Sequence, residues 1–231
     1  MFETPPQNRF SALWRNGKFR RMLAVSGYFS FVFFLPYLFD DPALILLLPS
    51  GVAFLWLIFF LRDPSGGRSL SERLEMKRIA AGQPIKIALA IISAVVVTVI
   101  ASEFTKCGLD FLGIPYQTDQ ELLRMLKRSS GMTEKIFIGV IVAILAPAGE
   151  EIVFRKIIFD LFRPAGLVSA VVLTSLLFAA LHFYLAGILA LGLFGVILQL
   201  LFLKTGNLCC SIQVHAAFNL LAFIGALLTA E

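Results

Sequence analysis

Seven apolar segments, each close to the length of a membrane-crossing helix, constrain this chain more than any other feature. They cover residues 22–39, 43–61, 85–102, 134–161, 167–183, 186–203 and 208–229. A helix needs about 20 apolar residues to cross roughly 30 Å of hydrocarbon. The sequence therefore predicts an all-α, polytopic transmembrane helix bundle of about seven spans, with room for an eighth.

The charges lie between these segments. Only 15% of the 231 residues are charged, whereas a typical soluble domain has about a quarter. The net charge of +5 would suggest nucleic-acid binding in a soluble protein. Here the basic residues flank apolar spans, which is typical of membrane orientation. We expect no nucleic-acid partner, and a multi-pass protein of the cell (inner) membrane with its N-terminus in the cytoplasm. The oligomeric state is left open.

Two connecting segments match the capping box that begins many helices. They are Ser69-x-x-Glu72 and Thr118-x-x-Glu121, and they predict short helices that lie either at the membrane surface or in solvated loops. The second helix would be amphipathic, with leucines at 122, 123 and 126 largely opposite basic residues at 124, 127 and 128. We divide the chain into residues 1–133, with the basic N-terminal segment, spans 1–3 and interfacial helices, and residues 134–231, a four-helix membrane core with the candidate catalytic residues described below.

The fourth apolar segment contains two adjacent carboxylates, Glu150 and Glu151. Ionisable groups inside a membrane are costly, so the pair needs a partner or a function. Glu151 and Arg155 are four residues apart, and we expect them to form an ion pair on one helix face. Glu150 lies about 100° further around the helix, where it can face another helix. Pro147 weakens the helix just before the pair.

Both histidines of the chain fall within predicted spans. His182 follows Phe178 by four residues, and His215 precedes Asn219 by four, so each pair shares a helix face. Glu150 lies about 15 residues before the hairpin turn at 163–166 and His182 about 17 after it, so the two should meet at one depth. His215 lies about ten residues from the turn at 204–207, which predicts a looser match.

These residues leave several functions open. Glu150 and His182 could activate water, or His182, His215 and Glu150 could bind a catalytic zinc. Against zinc, there is no His-Glu-x-x-His sequence and Asn219 would have no role. Buried carboxylates and histidines also form proton relays in transporters, although the chain is short and shows no two-fold repeat. A non-catalytic immunity or scaffold protein is the remaining alternative.

Three motifs carry a family resemblance: Glu150-Glu151-x-x-x-Arg155, Phe178-x-x-x-His182 and His215-x-x-x-Asn219. Together, over about residues 140–225, they resemble the CAAX protease and bacteriocin-processing (CPBP, or Abi) family, which includes the type II CAAX-prenyl endopeptidases. One departure is Lys156, where such sequences often have glycine, and it puts close helix packing at that point in question.

The resemblance implies an intramembrane endopeptidase that acts on a membrane-associated or lipidated protein or peptide. Glu150, helped by His182, would activate the attacking water, and His215 with Asn219 would donate hydrogen bonds to the oxyanion. Glu151, Arg155 and Phe178 would support these residues. We expect no cofactor, with zinc as the alternative.

Overall fold

The computed structural model describes residues 17–34, 38, 42–62, 67, 69–117, 121–129 and 131–229. The described residues form nine helices and no β-strand, which confirms the predicted all-α class. In chain order they are α1 (Gly17–Phe34), α2 (Pro42–Leu61), α3 (Leu70–Arg73), α4 (Gln83–Phe111), α5 (Glu121–Arg128), α6 (Met132–Ala165), α7 (Leu167–Ala180), α8 (Leu185–Thr205) and α9 (Leu208–Thr229).

Among the described residues, four helices are long and apolar enough to cross a membrane: α4, α6, α8 and α9. Their outward faces are apolar too; on α4, Leu89, Ile92 and Val96 are each more than half exposed. An apolar surface of this extent is typical of contact with lipid. The predicted fifth span is shorter than expected, because α7 has 14 residues and a rise of about 21 Å.

The contacts divide the chain into two compact units, Met1–Arg73 and Leu74–Glu231. In the first unit, α1 packs on α2 through small residues and one tryptophan. A side chain at Gly27 would collide with the Trp56 ring, and the Trp56 indole N–H donates to the Leu23 carbonyl over 3.0 Å. Gly27 is therefore required for this close approach. The functional division at residue 133, made from the distribution of polar residues, stays a prediction.

In the second unit, α8 packs against α4 and α7, and α9 contacts α4, α6 and α8. The approach of α7 to α8 depends on Gly195, where an added Cβ would lie 3.1 Å from the Cβ of Ser175. Buried aromatic and aliphatic side chains, among them Phe178, Phe194 and Leu198, fill the space between these helices. The two adjacent glutamates of α6 face this core.

The turn between α8 and α9 is held by hydrogen bonds of the buried Asn207 side chain. Gly206 ends α8 in the left-handed conformation, with φ of 56°, which favours glycine. The Asn207 side chain accepts hydrogen bonds from the backbone N–H groups of Lys77 and Cys209 and donates to the Lys77 carbonyl, at 3.0–3.1 Å. Asn207 is fully buried, so α9 begins beneath the segment at 77–83 and not at the surface.

The first predicted capping box is confirmed at the start of α3. The Ser69 N–H donates to the Glu72 carboxylate over 2.9 Å, and the Glu72 N–H donates to the Ser69 hydroxyl over 3.3 Å. The second begins at Thr118, which lies outside the described residues. Helix α5 follows at the expected place, and Leu126 on its apolar side is buried.

Candidate active site

Glu151 lies between two basic side chains, Arg155 and His215, inside the helix bundle. Its Oε2 accepts a hydrogen bond from Arg155 Nε over 2.9 Å, as the spacing predicts. Its Oε1 lies 2.9 Å from His215 Nδ1 on α9. The Glu151 and Arg155 side chains are fully buried, and that of His215 is 3% exposed. Because a carboxylate only accepts, Nδ1 of His215 carries the hydrogen and Nε2 points the other way.

Glu150 has the opposite environment. Its Oε2 is buried and has no hydrogen-bond partner among the described residues. It lies 4.0 Å from His182 Nε2 and 3.8 Å from His215 Nε2. A buried carboxylate oxygen without a donor is costly unless another molecule supplies one. Of the adjacent pair, Glu150 is therefore the carboxylate with an oxygen left to bind another molecule, and it lies near both histidines.

His182 meets Glu150, although our placement of this histidine within a span is wrong. Helix α7 ends at Ala180, and His182 lies in the turn that follows, with a third of its side chain exposed. Its Nδ1 lies 2.7 Å from the Phe178 carbonyl oxygen. Since a carbonyl accepts, Nδ1 carries a hydrogen, and Nε2 is the ring nitrogen that faces Glu150.

His215 lies closer to the glutamates than we expected from its distance along the helix. That estimate assumed that the turns at 163–166 and 204–207 lie at equivalent levels. The second turn is instead buried by the Asn207 hydrogen bonds, so α9 starts deeper in the bundle. The looser match expected for His215 is wrong for this reason.

Asn219 is oriented by an irregularity in α6. The helix widens to π-helical turns at Ile141–Leu145, so that the Ala146 N–H donates to the Ile141 carbonyl. The next N–H that could reach the Val142 carbonyl is missing, because residue 147 is proline. The Asn219 amide donates to that carbonyl over 2.9 Å. Pro147 thus leaves an acceptor free, and Asn219 occupies it with one of its two N–H groups.

Aromatic rings hold the polar groups in place. The Phe178 ring centroid lies 4.6 Å from that of His182 and 5.8 Å from that of His215, and the Arg155 guanidinium lies over its face at 4.9 Å. Phe178 was predicted from its spacing to His182, but Phe194, which packs beside His215, and Phe218, which packs against Phe194, were not. The 23 phenylalanines give no signal that distinguishes these two.

A cavity of about 270 Å³ lies against this group. His182, His215 and Asn219 supply its polar wall, and aromatic and aliphatic side chains, including Phe178 and Tyr184, supply the rest. We call it the catalytic chamber. Its lining includes both histidines that lie near Glu150.

The same atoms fit a metal ion poorly. In a tetrahedral zinc site, ligand atoms about 2.1 Å from the ion lie about 3.4 Å from one another. Glu150 Oε2 is 3.8 Å and 4.0 Å from the two histidine nitrogens. Among the described residues, no group of three His, Cys, Asp or Glu side chains is placed to hold a metal.

Lys156, the residue that departs from the family pattern, is accommodated by an ion pair. Its ammonium lies 2.8 Å from Glu75 Oε1 and 3.8 Å from Asp160 Oδ2. Glu75 belongs to the segment that precedes α4. A glycine would permit close helix packing here, whereas this chain uses the long lysine side chain to reach that segment.

The long apolar helices, with two glutamates and two histidines brought together between them, define a polytopic integral membrane protein. Residues 132–221 match the family model described as type II CAAX prenyl endopeptidase Rce1-like. This match covers 90 of the 231 residues. It supports the CAAX protease family that the three motifs predicted, and that family implies a peptidase. All seven motif residues lie inside the match. Searches of curated proteins and of solved structures gave no match.

We expect Arg155→Ala to destabilise the protein strongly, because it leaves the Glu151 carboxylate buried with one partner fewer. Breaking a buried ion pair costs about 3–5 kcal/mol. Unfolding in detergent, followed by circular dichroism, measures the loss. Arg163→Ala, which removes an exposed arginine from the end of the same helix, is the matched control. Equal stability of the two variants would contradict the role given to the buried pair.

Proposed function

We propose that this protein is a glutamate-dependent intramembrane endopeptidase. The observation that carries the proposal is the position of Glu150 Oε2, buried, without a hydrogen-bond partner among the described residues, and within 4.0 Å of the Nε2 atoms of both histidines. A carboxylate so placed is suited to accept a proton from water. Its neighbour Glu151 is occupied by Arg155 and His215 and serves as support.

The attacking water binds between Glu150 and His182. A molecule about 2.8 Å from Glu150 Oε2 and from His182 Nε2 would donate one hydrogen to each, which agrees with their 4.0 Å separation. The carboxylate oxygen is an acceptor, and Nε2 of His182 accepts as well when the ring carries its single hydrogen on Nδ1, beside the Phe178 carbonyl. The water oxygen then attacks the scissile carbonyl carbon, and its proton passes to Glu150.

The oxyanion that forms is stabilised by His215 and Asn219. With a second proton on Nε2, His215 donates to the oxyanion while its Nδ1–H stays bonded to Glu151, whose carboxylate balances the positive charge. Asn219 donates through the amide hydrogen that the Val142 carbonyl does not use. Glu150 returns its proton to the departing amine nitrogen, and the products are a carboxylic acid and an amine. Donors fixed before the reaction are the most effective.

The substrate we propose is a membrane-associated or lipidated protein or peptide, cleaved at the catalytic chamber. The family match supports this class, and the apolar walls of the chamber suit an extended peptide with apolar side chains. We further propose residence in the cell (inner) membrane with the N-terminus in the cytoplasm. The basic residues before the first apolar segment support that orientation.

Glu150→Gln and His182→Ala should each reduce peptide cleavage by at least about 100-fold, since general-base catalysis contributes about 10²–10⁴. Cleavage of membrane-protein substrates by the purified protein in detergent or liposomes measures the loss, and thermal unfolding checks the fold. Glu134→Gln, the same change earlier in α6, is the matched control. Full cleavage activity of Glu150→Gln would contradict the proposed mechanism, whereas absence of cleavage by the unmodified protein would favour a scaffold role.

Cleavage should also be insensitive to metal chelators. The distances among Glu150, His182 and His215 favour a bound water over a tetrahedral zinc ion, and the proposed steps use only protein groups and water. Activity measured after prolonged incubation with 1,10-phenanthroline, alongside the metal content of the purified protein, tests this. Loss of activity that stoichiometric zinc restores would establish the metal mechanism instead.

A further inference from the structure

A second cavity, of about 250 Å³, lies beside the catalytic chamber. We call it the side cavity. The two share three wall residues, Tyr184, Leu191 and Phe218. A peptide bound in the chamber would therefore have the side cavity within reach of one of its side chains. The side cavity is outside the group of motif residues, and the mechanism does not use it.

The partition between the two cavities depends on Gly187. A Cβ at this position would lie 2.5 Å from Cδ1 and 2.6 Å from Cε1 of the Tyr184 ring, so the ring rests directly on the glycine backbone. Phe183, just before the tyrosine, has a φ of 49°, a conformation uncommon for a residue with a large side chain. The turn between α7 and α8 thus places Tyr184 where it separates the side cavity from the chamber.

The lining of the side cavity is apolar on one side and polar on the other. Val99, Leu191 and Phe218 provide apolar surface, whereas Thr98, Ser102 and Glu103 provide oxygen atoms. The only charge among the lining residues is the Glu103 carboxylate. Long cationic side chains have the matching character, because an apolar stem carries a charged end.

Glu103 remains available to a ligand although it already has one partner. Its Oε1 lies 2.7 Å from Lys106 Nζ, and 65% of its side chain is exposed. An exposed ion pair of this kind contributes little, about 0–1 kcal/mol. The Glu103 carboxylate has a second oxygen, and a cationic ligand can bind there or replace Lys106.

We propose that the side cavity is a subsite for a lysine or arginine side chain of the substrate, with Glu103 as its counter-charge. The cationic side chain passes Tyr184 with its stem against Leu191 and Phe218, and its charged end meets Glu103, Ser102 and Thr98. This specificity rests on the proposed peptidase function, because it assumes a peptide in the chamber.

The test uses binding, so that it does not depend on cleavage. The full chain with Glu150→Gln is titrated in detergent with fluorescein-labelled decapeptides of alanine and leucine, each with one lysine at a different position. A second set has glutamine in place of lysine. At one position, the lysine peptide should bind about threefold to fivefold more tightly. Adding Glu103→Gln should remove this preference, and Glu103→Lys should reverse it.

Asp110→Asn, which removes an exposed carboxylate from the same helix outside the cavity lining, should leave the preference intact. Equal binding of the two peptide sets, binding of neither, or a preference that survives Glu103→Gln would overturn the subsite. Cleavage of the same peptides by the unmodified chain tests the proposed function separately. A Glu103-dependent preference without cleavage would support the subsite and contradict the proposed peptidase function. Cleavage without that preference would support the peptidase function and contradict the subsite.

Discussion

The structure of the site depends on one buried carboxylate, that of Glu151. An isolated charge at this depth would cost several kcal/mol, and it is tolerated only because both oxygens have donors. Arg155, on the same helix, uses one oxygen, and His215, on α9, uses the other. This link between α6 and α9 fixes the orientation of the His215 ring. It also leaves the Nε2 of that ring directed at the neighbouring glutamate.

Two adjacent glutamates thereby receive different tasks from their surroundings. Each Glu151 oxygen has a partner, whereas Glu150 has an oxygen that none of the described residues binds. Each histidine has one nitrogen committed, His182 to the Phe178 carbonyl and His215 to Glu151, so each offers its other nitrogen to Glu150. The widened turn before Pro147 adds the last group, since it frees the carbonyl that holds Asn219. In each of these residues, the atom that is already hydrogen-bonded determines which atom is left for the proposed reaction.

Much of this arrangement can be predicted from the sequence, because it depends on the length and residue spacing of single helices. Apolar length predicts the helices, and four-residue spacing predicts the Glu151–Arg155 pair and relates Phe178 to His182. Residue counts from a shared turn correctly bring Glu150 to His182. The failures arise where tertiary contacts intervene. The hydrogen bonds of buried Asn207 place the start of α9 inside the bundle, which brings His215 close to both glutamates. Helix α7 ends before His182, so this histidine lies in a turn. The Val142 carbonyl is free to accept from Asn219 only because a π-helical turn and Pro147 occur together. Residue spacing alone does not predict the π-helical turn.

The central claim is that Glu150 acts as a base on water and does not itself attack the substrate. A single turnover of peptide cleavage in H₂¹⁸O, followed by mass spectrometry of both the products and the digested protein, tests it most directly. The account predicts one ¹⁸O atom in the new carboxyl terminus of the product and none in the Glu150 side chain. Label in that side chain would mean that the carboxylate had formed a covalent intermediate, and it would contradict the account.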